Sequence, residues 1–161
     1  MSNNLKLSPM ARSTVKVVFL TLFLDMVGFS IIFPLFPDLI KHYLSVDPNN
    51  FFLRLILDMV DKITDLAGSP QTISPVVIFG GILGALYSLL QFLFAPFWGS
   101  LSDRIGRKPV LLISVSGIAL CYFLWIFAGG FGLLILSRIL GGMMGGNIST
   151  ATAAVSDVTE E

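Results

Sequence analysis

A chain of 161 residues that is 55% hydrophobic and only 12% charged, with a mean hydropathy of +0.87, lies far from water-soluble domains, in which about 25% of residues are charged. A soluble enzyme is excluded, and a formal net charge of zero leaves none of the basic footprint that nucleic-acid binding requires. The lone Cys121 closes no disulfide within the chain, and His42 has no cysteine or acid at ligand spacing, so neither redox chemistry nor a metal or other cofactor is expected.

Four apolar runs, each long enough for a hydrocarbon core of about 30 Å, predict an all-α membrane protein. After a tail over 1–14, the first span is expected at 15–37 and an external loop at 38–75. A second span follows at 76–98, a tight loop at 99–108, a third span at 109–128, a fourth at 131–155 and a polar end at 156–161. The runs lack the alternation of barrel strands, and backbone groups in lipid must be satisfied within the segment, so the spans are helical. Lys6 and Arg12 precede the first run and Lys16 lies at its start; the run is too long for a signal h-region and has no small-residue cleavage pattern behind it. The same three cations, with Arg104, Arg107 and Lys108 in the 99–108 loop, place the amino terminus and that loop in the cytoplasm. The lipid bilayer is thus a partner, and the cell membrane the expected location.

Within the first loop, Phe52, Leu55, Ile56, Met59, Val60, Ile63 and Leu66 recur with a helical period after the turn residues Asp47, Pro48, Asn49 and Asn50, and Gly68 and Pro70 end the pattern. An amphipathic helix over about 50–67, lying on the outer membrane surface, is the expected form; a lid or partner-docking element is the alternative.

Two ionisable residues fall inside spans. Asp25 is about 15 Å from the cytoplasmic start of the first helix and Arg138 about 10 Å from the outer start of the fourth, at about 1.5 Å per residue, so their depths nearly coincide. Charges at such depths cost several kcal/mol unless they face protein, water or each other, which makes the pair either a structural salt bridge or a proton-coupling site. In the fourth span Arg138, Gly142, Gly145, Ser149, Thr152 and Ser156 share one face. That face suits a tight helix seam, because Gly141 to Gly145 and Gly142 to Gly146 are both GxxxG spacings, or the border of a water-filled cavity. Gly84, Tyr87, Ser88 and Gln91 are similarly spaced on the second span.

The most specific stretch is Gly99-Ser-Leu-Ser-Asp103-Arg104-Ile-Gly106-Arg107-Lys108-Pro109-Val-Leu111. It resembles, almost position for position, the loop signature between helices two and three of the major facilitator superfamily. Arg138, Gly141, Gly142 and Gly146 resemble the family's arginine-to-glycine motif in helix four. Asp25, Gly28, Pro34 and Pro37, with Tyr87, Gln91, Pro96 and Asp157, look like the drug/proton antiporters, particularly the tetracycline-efflux group. Those exporters carry an acidic residue in helix three where this sequence has Cys121, and the 41–75 region is longer than the resemblance leads one to expect.

The resemblance implies that the four spans are the first part of a twelve-helix transporter, whose remaining helices are further partners, and that the chain is an amino-terminal portion. It implies secondary active efflux of a small amphipathic compound in exchange for protons, with Asp25 as the protonation site and Arg138 tuning it. Tyr87, Gln91, Gly142, Gly145 and Ser149 would line the path. The signature loop, formed by Gly99, Asp103, Arg104, Gly106, Arg107 and Lys108 with Asp157, would sense which side is open. Arg107 and Asp157 are expected to meet, since both lie at the cytoplasmic end. Asp103, at a carbonyl-rich helix end, needs a positive neighbour. No GxxxxGK[ST] loop for ATP occurs, and no constellation of an enzyme is placed to act together. A nutrient or metabolite symporter, a four-helix protein without transport activity and an inactive truncation are the alternatives.

Overall fold

A computed structural model describes residues 9–66, 74–145 and 147–159; Lys6, Gly68, Pro70, Gly146 and the Glu160–Glu161 end lie outside them. The described residues form seven α-helices: α1 (Pro9–Ser30), α2 (Phe36–Val46), α3 (Phe51–Leu66), α4 (Pro75–Ile105), α5 (Arg107–Ile126), α6 (Phe131–Met144) and α7 (Asn147–Thr159), with one 3-10 turn at Phe33–Leu35. Four stretches are long and apolar enough to cross a membrane: Arg12–Val46, Pro75–Ile105, Arg107–Ile126 and Phe131–Asp157. This is a multi-pass, all-helical membrane protein.

The first stretch does not end near residue 37. Pro34 sits in the 3-10 turn and Pro37 in the first turn of α2, where a missing N–H costs nothing because that group has no intrahelical acceptor. The chain therefore bends and resumes as helix to Val46. At about 1.5 Å per residue the 31 residues of α4 extend about 46 Å, well past a hydrocarbon core.

Packing is concentrated on α6. Its first turns join α4 through a cluster that includes Phe79, Leu83, Phe131 and Leu134, all 2% exposed or less. Gly142 and Gly145 let α6 touch α4: a Cβ on Gly142 would stand 2.7 Å from the Tyr87 carbonyl oxygen, and one on Gly145 2.9 Å from Gln91 Cγ. Such close backbone approach is what small residues contribute in membranes. By contrast α1 meets the bundle mainly through Val18 against Ala151 and Ala154 of α7, and Val17, Phe19, Phe23 and Leu24 stay more than half exposed.

The amphipathic segment is helical as α3, but its apolar residues do not act as one face. Leu53, Ile56 and Val60 are buried in the same cluster as Tyr43, Phe79 and Phe131, so this side of α3 is docked on the bundle. Tyr43 Oη donates to the Ala128 carbonyl at 3.0 Å. The turn before α3 adds Asp47, whose Oδ2 would lie 3.3 Å from a Cβ on Gly130, close to the amino end of α6, where a carboxylate is electrostatically favoured.

Candidate functional site

The fourth span is not one continuous helix. The backbone leaves the helical path at Gly145, with φ −69° and ψ 35°, and α7 restarts at Asn147. A break at membrane depth frees carbonyls that lipid cannot satisfy. Three side chains from neighbouring helices supply the donors: Trp98 Nε1 to the Met143 oxygen at 2.7 Å, Ser114 Oγ to Met144 at 2.5 Å and Gln91 Nε2 to Gly145 at 3.1 Å. Of these, only Gln91 stood out in the sequence as a polar residue within a span. The face expected to run unbroken from Arg138 to Ser156 is interrupted here, and beyond the break Thr152 and Ser156 are exposed while Ser149 is half-buried.

About two turns before the break lies Arg138, only 6% exposed. Its guanidinium is walled by three rings: Cζ lies 4.5 Å from the centroid of Trp125, 5.7 Å from Tyr122 and 5.9 Å from Tyr87. Cation–π contacts of this kind reach about 2 kcal/mol each when desolvated, which offsets part of the cost of keeping a cation out of water. Among the described residues, Arg138 Nε and Tyr122 Oη have no hydrogen-bond partner. Tyr122 and Trp125 are three residues apart and so share a face of α5, a spacing visible in the sequence but indistinguishable there from ordinary aromatic packing.

Asp25, half-buried on α1, is within electrostatic reach of both Tyr87 and Tyr122. It therefore shares two neighbours with Arg138. The approach of α1 depends on Gly28, one turn along the same face, where a Cβ would lie 3.1 Å from Tyr122 Oη. Phe29 lies against Tyr87 with ring centroids 5.5 Å apart and planes tilted by 35°. An acid, a base and two phenols from four different helices thus lie around one region of the bundle interior.

A second charged site closes the opposite end of the bundle from α3. Gly106, between α4 and α5, has φ 96° and ψ 155°, a region essentially restricted to glycine, and the turn it allows directs Arg107 back across the end of α4. Arg107 Nε donates to Asp157 Oδ2 at 3.0 Å; its Nη1 donates to Asp103 Oδ1 at 2.5 Å and to Ser102 Oγ at 2.6 Å. One guanidinium thus ties α4, α5 and α7 together and supplies the positive neighbour that Asp103 requires at its helix end. Arg104 and Lys108 are exposed, and a Cβ on Gly99 would meet only open space.

Comparisons with known proteins agree on one lineage. The family model described as Major Facilitator Superfamily matches residues 18–161. Major facilitator superfamily domain-containing protein 10 of Bos taurus is 39% identical over 145 residues, covering 89% of this chain and 31% of that protein. The class B tetracycline resistance protein of Escherichia coli is 32% identical over 149 residues, covering 92% of this chain and 30% of that protein. A crystal structure of the human organic anion transporter MFSD10 (TETRAN) superposes with a TM-score of 0.81 at 36% identity, over 91% of this chain and 34% of that one. The chain spans about a third of the length of these relatives.

Proposed function

This chain belongs to the major facilitator superfamily, a family of membrane transporters, and from that premise we propose that it forms the opening portion of a secondary active transporter that expels small amphipathic compounds in exchange for protons. The observation that carries the reading is the buried Arg138, ringed by Tyr87, Tyr122 and Trp125, with Asp25 sharing the two tyrosines. Ionisable groups at membrane depth are expensive and mark transport paths. Asp25 is the group that takes up and releases the proton; Arg138 stabilises its carboxylate form and the surrounding apolar walls oppose it. The relatives' names, a tetracycline resistance protein and an organic anion transporter, support a small amphipathic cargo.

Tyr87, Gln91 and Ser149 present polar groups along the path, and Gly142 and Gly145 bring the helices that carry them together. The cluster of Gly99, Asp103, Arg104, Gly106, Arg107, Lys108 and Asp157 reports which side is open: Arg107 gathers the ends of α4, α5 and α7 at one face of the bundle, against which the rest of the transporter would move. The remaining helices of the transporter would pack against the outside of the bundle, where α1 leaves Val17, Phe19, Phe23 and Leu24 exposed. In this reading the protein resides in the cell membrane with its amino terminus in the cytoplasm.

Asp25→Asn tests the assignment, since asparagine is nearly isosteric but does not ionise. In a complete transporter carrying this segment, the variant should insert normally and lose proton-driven efflux while retaining any passive exchange. Full gradient-driven extrusion by Asp25→Asn would move the coupling site elsewhere.

A further inference from the structure

The helix α3 has three faces rather than two. At about 100° per residue, Leu53, Ile56 and Val60 form one side, which is buried in the bundle. Arg54, Asp58, Asp61, Lys62 and Asp65 form a second, solvated side, with Lys62 paired to Asp58 at 2.7 Å. Phe52, Leu55, Met59 and Ile63 form a third, about a quarter of a turn from the buried side and about a third of a turn from the charged one. These four are between 38% and 46% exposed, although the docked side already supplies the apolar burial that holds the helix in place. A contiguous apolar stripe left uncovered in this way marks an interaction surface.

We infer that this stripe lies in the bilayer, so that α3 is a strap fastened on one side to the bundle and on another to the lipid leaflet at that end. The depth of the helix argues for lipid. Its buried side shares a cluster with Phe131, the first residue of α6, and Phe79, the fifth of α4, and α3 contacts both helices, so it lies beside the first turns of the spans, at residues within about 6 Å of their ends. Interfacial helices occupy this level, about 5–10 Å into the headgroup and acyl boundary. Val77, 65% exposed in the first turn of α4, is another uncovered apolar side chain at the same end of the bundle. The charged side provides the complementary contact with water. The inference is independent of what the protein transports.

Nitroxide labels placed by Leu55→Cys, Met59→Cys and Ile63→Cys, with Asp58→Cys and Asp61→Cys as controls, test it in the protein reconstituted into phosphatidylcholine nanodiscs. The background is Cys121→Ser, or the natural chain if that variant fails to fold, because Cys121 is buried. Molecular oxygen concentrates in lipid and a nickel chelate stays in water. Labels at 55, 59 and 63 should collide with oxygen several-fold more than with the chelate, and labels at 58 and 61 should show the reverse. Preferential collision of the stripe labels with nickel would place the stripe in water. Protection from both reagents would mean that protein covers it, and spectral broadening that grows with protein concentration would identify a second copy. Each of these three results overturns the inference.

Discussion

Glycines in this chain serve different physical ends, and substitution separates them. At Gly142 a methyl group would stand 2.7 Å from a backbone oxygen of α4, which cannot yield as a flexible side chain would. Gly142→Ala should therefore destabilise the protein by about 1–3 kcal/mol, the usual cost of overpacking. Gly84, on α4, would meet nothing within 4 Å; Gly84→Ala should be neutral or stabilising by about 0.5–1 kcal/mol, the helix-interior preference for alanine. Thermal unfolding of the two variants in the same detergent checks the contrast. Gly106 is a third case: its φ of 96° makes Gly106→Ala strained by about 1–3 kcal/mol, and the relaxed turn should pull Arg107 away from its carboxylates.

At the scale of elements, the junction of α6 and α7 is held by donors from α4 and α5. Replacing Ser114 with alanine leaves the Met144 carbonyl buried without its donor, a loss of about 1–3 kcal/mol. Ser114→Ala is expected to lower stability while leaving the packing volume nearly unchanged, which thermal unfolding in detergent would measure. The Arg107 knot is different in kind. Its partners Asp103 and Asp157 have side chains 64% and 54% exposed, so the ion pairs add little to stability, and their weight is expected in conformational change. In the complete transporter, Arg107→Ala and Asp157→Ala should each impair transport, with the double variant losing less than the sum of the two. Strict additivity would reduce the loop to a determinant of topology.

For the whole molecule, charge placement makes the sharpest demand. Single-cysteine labelling on a Cys121→Ser background should find position 106 reachable only from the cytoplasm and position 50 only from outside; labelling at 106 from outside intact cells would invert the orientation. Reconstituted alone, the 161-residue chain should show no vectorial transport, because alternating access rocks two repeats against each other around a fixed site. Transport by this chain alone would require several copies to assemble a pathway.

Composition and hydropathy were sufficient to establish an all-helical membrane protein with four spans, because lipid accepts few backbone solutions and twenty-odd apolar residues read the same way in any context. The order of Gly, Asp, Arg, Gly and paired bases between two spans was enough to indicate the family, and Arg107 and Asp157 could be matched because both sit at one end of their helices. Tertiary structure alone decided the surroundings of Arg138. Trp125 and Tyr122 are two aromatics among many in an apolar sequence, and only the crossing of α5 and α6 brings them to the guanidinium. It also decided that the fourth span breaks at Gly145, since a break in lipid survives only where Gln91, Trp98 and Ser114, 30 to 54 residues away in sequence, arrive to satisfy its carbonyls. Likewise it divided the apolar residues of α3, whose periodicity marks them as buried but not by what. A helical period reports which residues leave water, whereas the partner that receives them is set by the packing of segments distant in the chain.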